Sequence, residues 1–219
     1  ATPFSAFRWG IPARCNFQGR AFYTDTDVFF LSDIAEIWHH PMEKGTVMLA
    51  AGSGLTLRLG ELLWDCAAAK PFLPPLEDLR HDLEGHKKLQ KLFEQSPKCV
   101  EPLAPEYSNL DGDDLPLESL KVLHYSDMST QFSHRFSLPR LEIENRSHWF
   151  DGKVRDHYRD DLRELFEQYY NEALAAGYTL DQYRNPQQFG YFNKLSQKGY
   201  DGNTTTRKNW SFIKSIFGS

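Results

Sequence analysis

Cysteine is scarce in this chain: Cys15, Cys66 and Cys99 are widely spaced and odd in number. They form no CxxC pair and no disulfide framework, so a reducing, cytoplasmic setting is expected. A basic excess is also lacking. The formal net charge is -5, with acids and bases interspersed. That pattern excludes a phosphate-tracking surface and hence nucleic acid as the main partner, while leaving room for a small anionic ligand held through a metal. No apolar run approaches a membrane span. The opening Ala1–Ser5 has neither the basic start nor the apolar middle of a signal peptide. It begins on Ala rather than Met, which suggests a trimmed N-terminus. Internal repeats and low-complexity tracts are absent. Two sequons, at Asn145 and Asn203, are of a kind that arises often by chance.

What is present is 219 residues, 40% hydrophobic and 25% charged, enough for one domain with a real core. Residues 4–16 read as a short helix with Pro3 near its start, and 17–20 as a turn. The apolar residues Ala21–Tyr23 and Val28–Leu31 read as a buried strand ending in a polar break at Asp25-Thr26-Asp27. A helix is expected over 33–38, with Ser32 as its cap, stopping before Pro41. Residues 46–50 read as a strand, 55–57 as a possible strand and 61–69 as a helix. Leu76 to Glu94 reads as one charged helix, and Gln95 to Pro116 as loop. Lys121–Tyr125 reads as a short strand. The clearest helix is 155–176, with Leu162, Leu165, Phe166, Tyr169, Tyr170, Ala173 and Leu174 on one face and Gly177 as its stop. Alternating strands and helices predict an α/β fold.

Chemistry concentrates at Asp25 and Asp27. On an extended chain, side chains at i and i+2 share a face. Two carboxylates on one face make a hard, oxygen-rich site for Mn²⁺ or Mg²⁺. Such an ion would act as a Lewis acid on a departing diphosphate. Roughly one Asp-x-Asp is expected by chance in a chain this long. A second one occurs, Asp111-Gly112-Asp113, and its turn-rich surroundings predict a solvated loop. It is no EF-hand, because Asp114 holds the Gly slot and Leu120 the closing Glu slot.

With Leu31-Ser32-Asp33-Ile34-Ala35-Glu36-Ile37-Trp38 behind it, the first pair resembles the metal-binding strand of GT-A glycosyltransferases. The pattern is similar to the glycogenin-like and bacterial lipopolysaccharide sugar transferase group (family 8-like). Thr2-Pro3-Phe4-Ser5, Arg8 and Pro12 resemble the helix preceding that strand. Val122-Leu123-His124-Tyr125 resembles the late strand whose His is the third protein ligand. The similarity covers most of residues 2–132. It implies a mixed sheet flanked by helices, with 1–150 as the metal, donor and acceptor core and 151–219 as a helical appendage. It further implies a preceding base-binding segment of roughly 60 or more residues, the alternative being a protein that has lost its base-binding half.

The resemblance implies that Asp25, Asp27 and His124 hold the ion and that Arg8, Thr26 and Arg58 line the donor, for which a UDP-sugar is expected. Asp65 would act at the reacting sugar and acceptor, or else cap or pair locally. A glycan or lipid-linked saccharide would accept the glycosyl group with retention of configuration. Asp127 stands where the family has Gly, and no Lys occupies the family's diphosphate position; Arg135 or Arg140 could substitute.

The remaining features have plainer readings. His39-His40 reads as surface and Cys66 as core. Arg155, Arg159 and Arg163 with Asp160 and Asp161 read as a solvated helix face. Residues 207–217 place Trp210, Ile213 and Phe217 on one face beside Arg207, Lys208 and Lys214. That stripe suits either peripheral membrane contact at the cytoplasmic face or a docked terminal helix. A haloacid dehalogenase-type phosphatase also uses Asp-x-Asp after an apolar strand, but Phe29 holds its Thr slot. A non-catalytic scaffold of the same GT-A type is the other alternative.

Overall fold

The computed structural model describes residues 3–52, 57–82, 84–127, 129–131 and 155–178. The sequons, Arg135, Arg140 and the 207–217 stripe lie outside the described residues. The chain is α/β, with mixed sheets flanked by helices. Among the described residues no helix is long and apolar enough to cross a membrane.

A short 3-10 turn, Pro3–Ala6, leads into α1 (Phe7–Arg14). A turn with positive φ at Asn16, Phe17 and Gly19 then reverses the chain into β1 (Arg20–Thr24). The remaining strands are β2 (Val28–Phe30), β3 (Met48–Ala51), β4 (Arg58–Asp65), β5 (Val100–Pro102), β6 (Asn109–Leu110) and β7 (Val122–His124). The remaining helices are α2 (Ala35–Trp38), α3 (Cys66–Ala69), α4 (Leu76–His81), α5 (Gly85–Glu94) and α6 (Asp160–Ala175). The first sheet runs β1-β4-β3-β5, antiparallel except for the parallel pair β3/β5. The second runs β2-β7-β6, with β2/β7 antiparallel and β6/β7 parallel.

Side-chain alternation along the strands explains the layering. Met48, Ala50, Leu62 and Trp64 face the helical side, where they meet Trp9, Leu89 and Phe93. Trp9 stacks on Phe93 with ring centroids 5.7 Å apart and meets Trp64 edge-on at 5.9 Å. Leu49, Ala51 and Leu63 face the other way, toward Ile37, Leu103 and Val122. In the second sheet Val28, Phe30 and Val122 look toward the first sheet, whereas Phe29, Leu31 and Leu123 pack on Leu162, Leu165 and Phe166 of α6. The order of layers is therefore helices, first sheet, second sheet, α6.

Three expectations about elements need correction. Residues 61–65 are not helix but the inner half of β4, the central strand, where Leu62, Leu63 and Trp64 have no exposure. A strand buried on both faces shows no alternation, so its Glu-Leu-Leu run mimics helical composition. The expected single helix over 76–94 is two helices, broken before Gly85. The stretch 95–116 contains β5 and β6 as well as loop, both too short to leave a periodic signal. The helices expected over 4–16, 33–38 and 155–176, and the strands over 46–50 and 121–125, are present within a few residues. Gly177 follows α6 with φ +89°, the left-handed conformation of a helix stop.

Candidate metal centre

Asp25 and Asp27 do not share one strand. They occupy the crossover by which the chain leaves the first sheet and enters the second. Asp25 N–H donates to Gly60 O of β4 at 2.8 Å, still in the first sheet. Two residues on, Asp27 O accepts from Tyr125 N–H at 2.9 Å, already in the second. The i, i+2 rule for strands therefore gives the right neighbours for the wrong reason, because the two sheets clamp the turn from either side. Thr26, between them, is exposed at its tip.

His124 closes the site. It ends β7, where alternation puts it on the same side as Val122, facing the first sheet. Its Nε2 lies 3.2 Å from Asp27 Oδ1, and its Nδ1 lies 3.2 Å from Glu61 Oε1. Asp25, Asp27 and His124 each offer one ligand atom, all within 4.8 Å of one another. Ligands on opposite sides of one small divalent ion stand roughly 4–5 Å apart, so the three residues fit such an ion.

Each of these side chains is held from behind. The α1 helix is pinned by Trp9, and its neighbour Arg8 reaches the end of β1. There Arg8 Nη2 lies 3.2 Å from Asp25 Oδ1, Nη1 donates to Leu59 O, and the guanidinium sits 4.9 Å from the Tyr23 ring centre. The Tyr23 hydroxyl also donates to Asp25 Oδ1. Burial and that hydrogen bond push the phenol well above its ordinary value, so it remains a donor. Gln131 Nε2 donates to Asp27 Oδ2 at 2.7 Å and to Tyr125 O at 2.6 Å.

The electrostatics favour a cation. Burial would raise the Asp27 carboxyl, but hydrogen bonds from His124 and Gln131 and the His124 charge hold it below the usual carboxylate range. Burial would lower His124, but its contacts with Asp27 and Glu61 and their charges raise it to about 10. The ring is thus an imidazolium at neutral pH without a metal. Three carboxyl groups then face one guanidinium and one imidazolium, and a divalent ion replacing the imidazolium proton would balance them.

The other residues singled out from the sequence fall elsewhere. Asp65 sits at the far end of β4, opposite Arg20, while the carboxylate pair lies where Glu61 faces Thr24. Its carboxylate accepts Ala68 N–H at 2.9 Å and caps α3. Arg58 begins β4, and its guanidinium forms a two-pronged ion pair with Asp113, with Nη2–Oδ1 3.1 Å. Arg8 is turned to Asp25 and Leu59 rather than outward. The second Asp-x-Asp is no solvated loop. Asp111 has no exposure, and its Oδ1 accepts Ser126 N–H and Oγ–H at 3.0 Å and Asp127 N–H at 3.2 Å. Its Oδ2 lies 3.3 Å from the buried His157 Nε2. His39 is exposed, and Cys66 is buried, its thiol pushed up to about 12 by burial and the neighbouring Cys15.

Four site residues were missed from the sequence: Tyr23, Gly60, Glu61 and Gln131. Tyr23, two residues before Asp25, had a readable signal in its place on the same strand face. The other three reach the site through tertiary pairing alone.

No protein-family model and no curated protein matches the chain. Among solved structures it is similar to mouse xyloside xylosyltransferase 1 in its apo form. That comparison has 12% identity and a TM-score of 0.41, and covers 55% of this chain and 64% of that one. It is also similar to the glycosyltransferase GlyE of Streptococcus pneumoniae TIGR4, at 18% identity and a TM-score of 0.47, covering 78% of this chain and 46% of that one. The apo form of GlyE gives 18% identity and a TM-score of 0.43, covering 76% of this chain and 46% of that one. The chain therefore spans less than two thirds of the length of either protein.

Proposed function

We propose that this chain is the metal-binding part of a GT-A glycosyltransferase. It would move a sugar from a nucleotide-diphosphate donor of the UDP-sugar class to the hydroxyl of a glycan or lipid-linked saccharide. The observation that carries the reading is the gathering of Asp25, Asp27 and His124 at a crossover between two sheets, with their ligand atoms within 4.8 Å. Two carboxylates and one imidazole suit Mn²⁺ or Mg²⁺, with positions left for diphosphate oxygens and water.

A bound divalent ion would neutralise charge developing on the departing nucleoside diphosphate. The chain's own residues set up that site. Arg8 and Tyr23 fix Asp25, Gln131 fixes Asp27, and exposed Thr26 lies where a donor approaches. Asp65, occupied as a helix cap, takes no part in this reading, and Arg58 serves the donor only if its pair with Asp113 opens. The substitution that tests the proposal is Asp27→Ala, assayed for Mn²⁺-dependent hydrolysis and transfer over a panel of nucleotide sugars. Metal-dependent turnover of one donor, abolished by the substitution, supports it. Turnover that ignores metal or survives the substitution refutes it.

A non-catalytic module of the same type is the second reading. It is favoured by the stretch after His124, where residues 125–127 and 129–131 contain no Lys or Arg to meet a diphosphate. A chain that binds Mn²⁺ and a nucleotide but turns over no donor would establish it.

A further inference from the structure

Glu61 stands in an improbable place for a carboxylate. It lies on the central strand with no exposure, beside the fully buried Leu62, Leu63 and Trp64. A carboxyl group there is strongly unfavourable unless both oxygens are used. Oε2 accepts the hydroxyl of Ser108, which is itself buried beside β6. Oε1 is buried, makes no conventional hydrogen bond among the described residues, and lies 3.2 Å from His124 Nδ1, close enough to pair with a ring N–H. The glycine before it makes the approach possible, since a β-carbon at residue 60 would collide with the imidazole.

An imidazole can offer a metal either nitrogen, and the partner of the other nitrogen decides which. We infer that Glu61 is the positioning residue of this site: it keeps a proton on His124 Nδ1 and thereby presents Nε2, the nitrogen facing Asp27, to a divalent cation. The inference rests on the metal-centre reading above and adds to it a buried anchor from the first sheet. Ser108 completes the chain of contacts by fixing the carboxylate that fixes the ring.

The test is titration of Mn²⁺ alone into the full chain, its Glu61→Gln variant, the His124→Ala variant and the double variant. Glu61→Gln keeps the shape and removes the charge. Mn²⁺ affinity should fall about 10- to 100-fold, as for other partners of metal-bound histidines, while the melting temperature holds or rises. In the His124→Ala background the same change should have no further effect, which a merely structural Glu61 would not produce. With Zn²⁺ as a diamagnetic probe, ¹⁵N-histidine spectra should show the metal on Nε2 and a proton on Nδ1. Should Glu61→Gln fold poorly, Ser108→Ala should still weaken Mn²⁺ about threefold. Undiminished affinity in both Glu61→Gln and Ser108→Ala, with binding lost in His124→Ala, overturns the role of Glu61 alone. So does a metal on Nδ1. A parent chain that takes up no Mn²⁺ overturns the metal centre and this inference together.

Discussion

His124 lies across the backbone of Gly60 so closely that a β-carbon at residue 60 would meet its Nδ1 at 2.5 Å and its Cε1 at 2.6 Å. The glycine is needed for space rather than for an unusual backbone angle. Asp25 Oδ2 would be 3.6 Å from the same β-carbon, so the whole site closes over this one position. Gly60→Ala should therefore push the imidazole out. Mn²⁺ affinity should drop at least tenfold, and stability should fall by about 1–3 kcal/mol through overpacking, both readable by metal titration and urea unfolding. Unchanged metal affinity would mean that His124 is not fixed by this contact.

Asp111 provides a sharp contrast between two readings of the same residue. A solvated loop aspartate would cost almost nothing to remove. The buried Asp111 gathers Ser126, Asp127 and His157, so Asp111→Ala should destabilise the chain by about 3 kcal/mol in chemical unfolding. It should also weaken Mn²⁺, because the loop it anchors carries Gln131 to Asp27.

His86 makes stability fall in acid. It accepts Trp9 Nε1–H at Nδ1, 2.9 Å, and burial together with the Arg8 charge lowers it to about 4. In the unfolded chain it titrates near 6.5. Between those values the unfolded state binds more protons, so stability is present above pH 6.5 and is lost as pH falls toward 4. The loss attributable to this group should be about 1 kcal/mol between pH 6.5 and 4.5, after discounting for partial exposure. His86→Gln should flatten the pH dependence of unfolding over that window.

Metal binding should be proton-linked in the same direction but over a higher pH range. His124, raised to about 10, holds its extra proton throughout the neutral range and must lose it to ligate. Mn²⁺ affinity should rise about tenfold per pH unit from 7 to 9, with one proton released per ion. Calorimetry in buffers of different ionisation enthalpy measures that proton directly.

Much of this arrangement could be read from the chain alone, and the parts that could not have physical reasons. Asp25 and Asp27 are legible as a carboxylate pair at the end of an apolar run, and His124 through the resemblance of Val122–Tyr125 to the late strand of GT-A transferases. The amphipathic stripe of α6 was legible because one of its faces is wet. β4 was not, because a strand covered on both faces carries no period, and its Glu61 looked like helix surface. Glu61, Gly60 and Gln131 acquire their meaning only from partners far along the chain. Asp111 and Asp113 were misjudged because Gly and Asp suit a turn equally well whether it faces water or, as here, a buried histidine and an arginine. Of the two readings of Asp65, the helix cap is the one the fold displays, because linear order does not tell which end of a strand meets the site.

Asp25, Asp27 and His124 are proposed to build a single divalent-ion centre. The most direct measurement is an electron paramagnetic resonance titration of Mn²⁺ into the full chain beside Asp27→Ala and His124→Ala, with folding verified by circular dichroism. One bound ion per chain and at least a tenfold loss of affinity in each variant are expected. No bound Mn²⁺ in the folded parent, or binding equally tight in both variants, would contradict it.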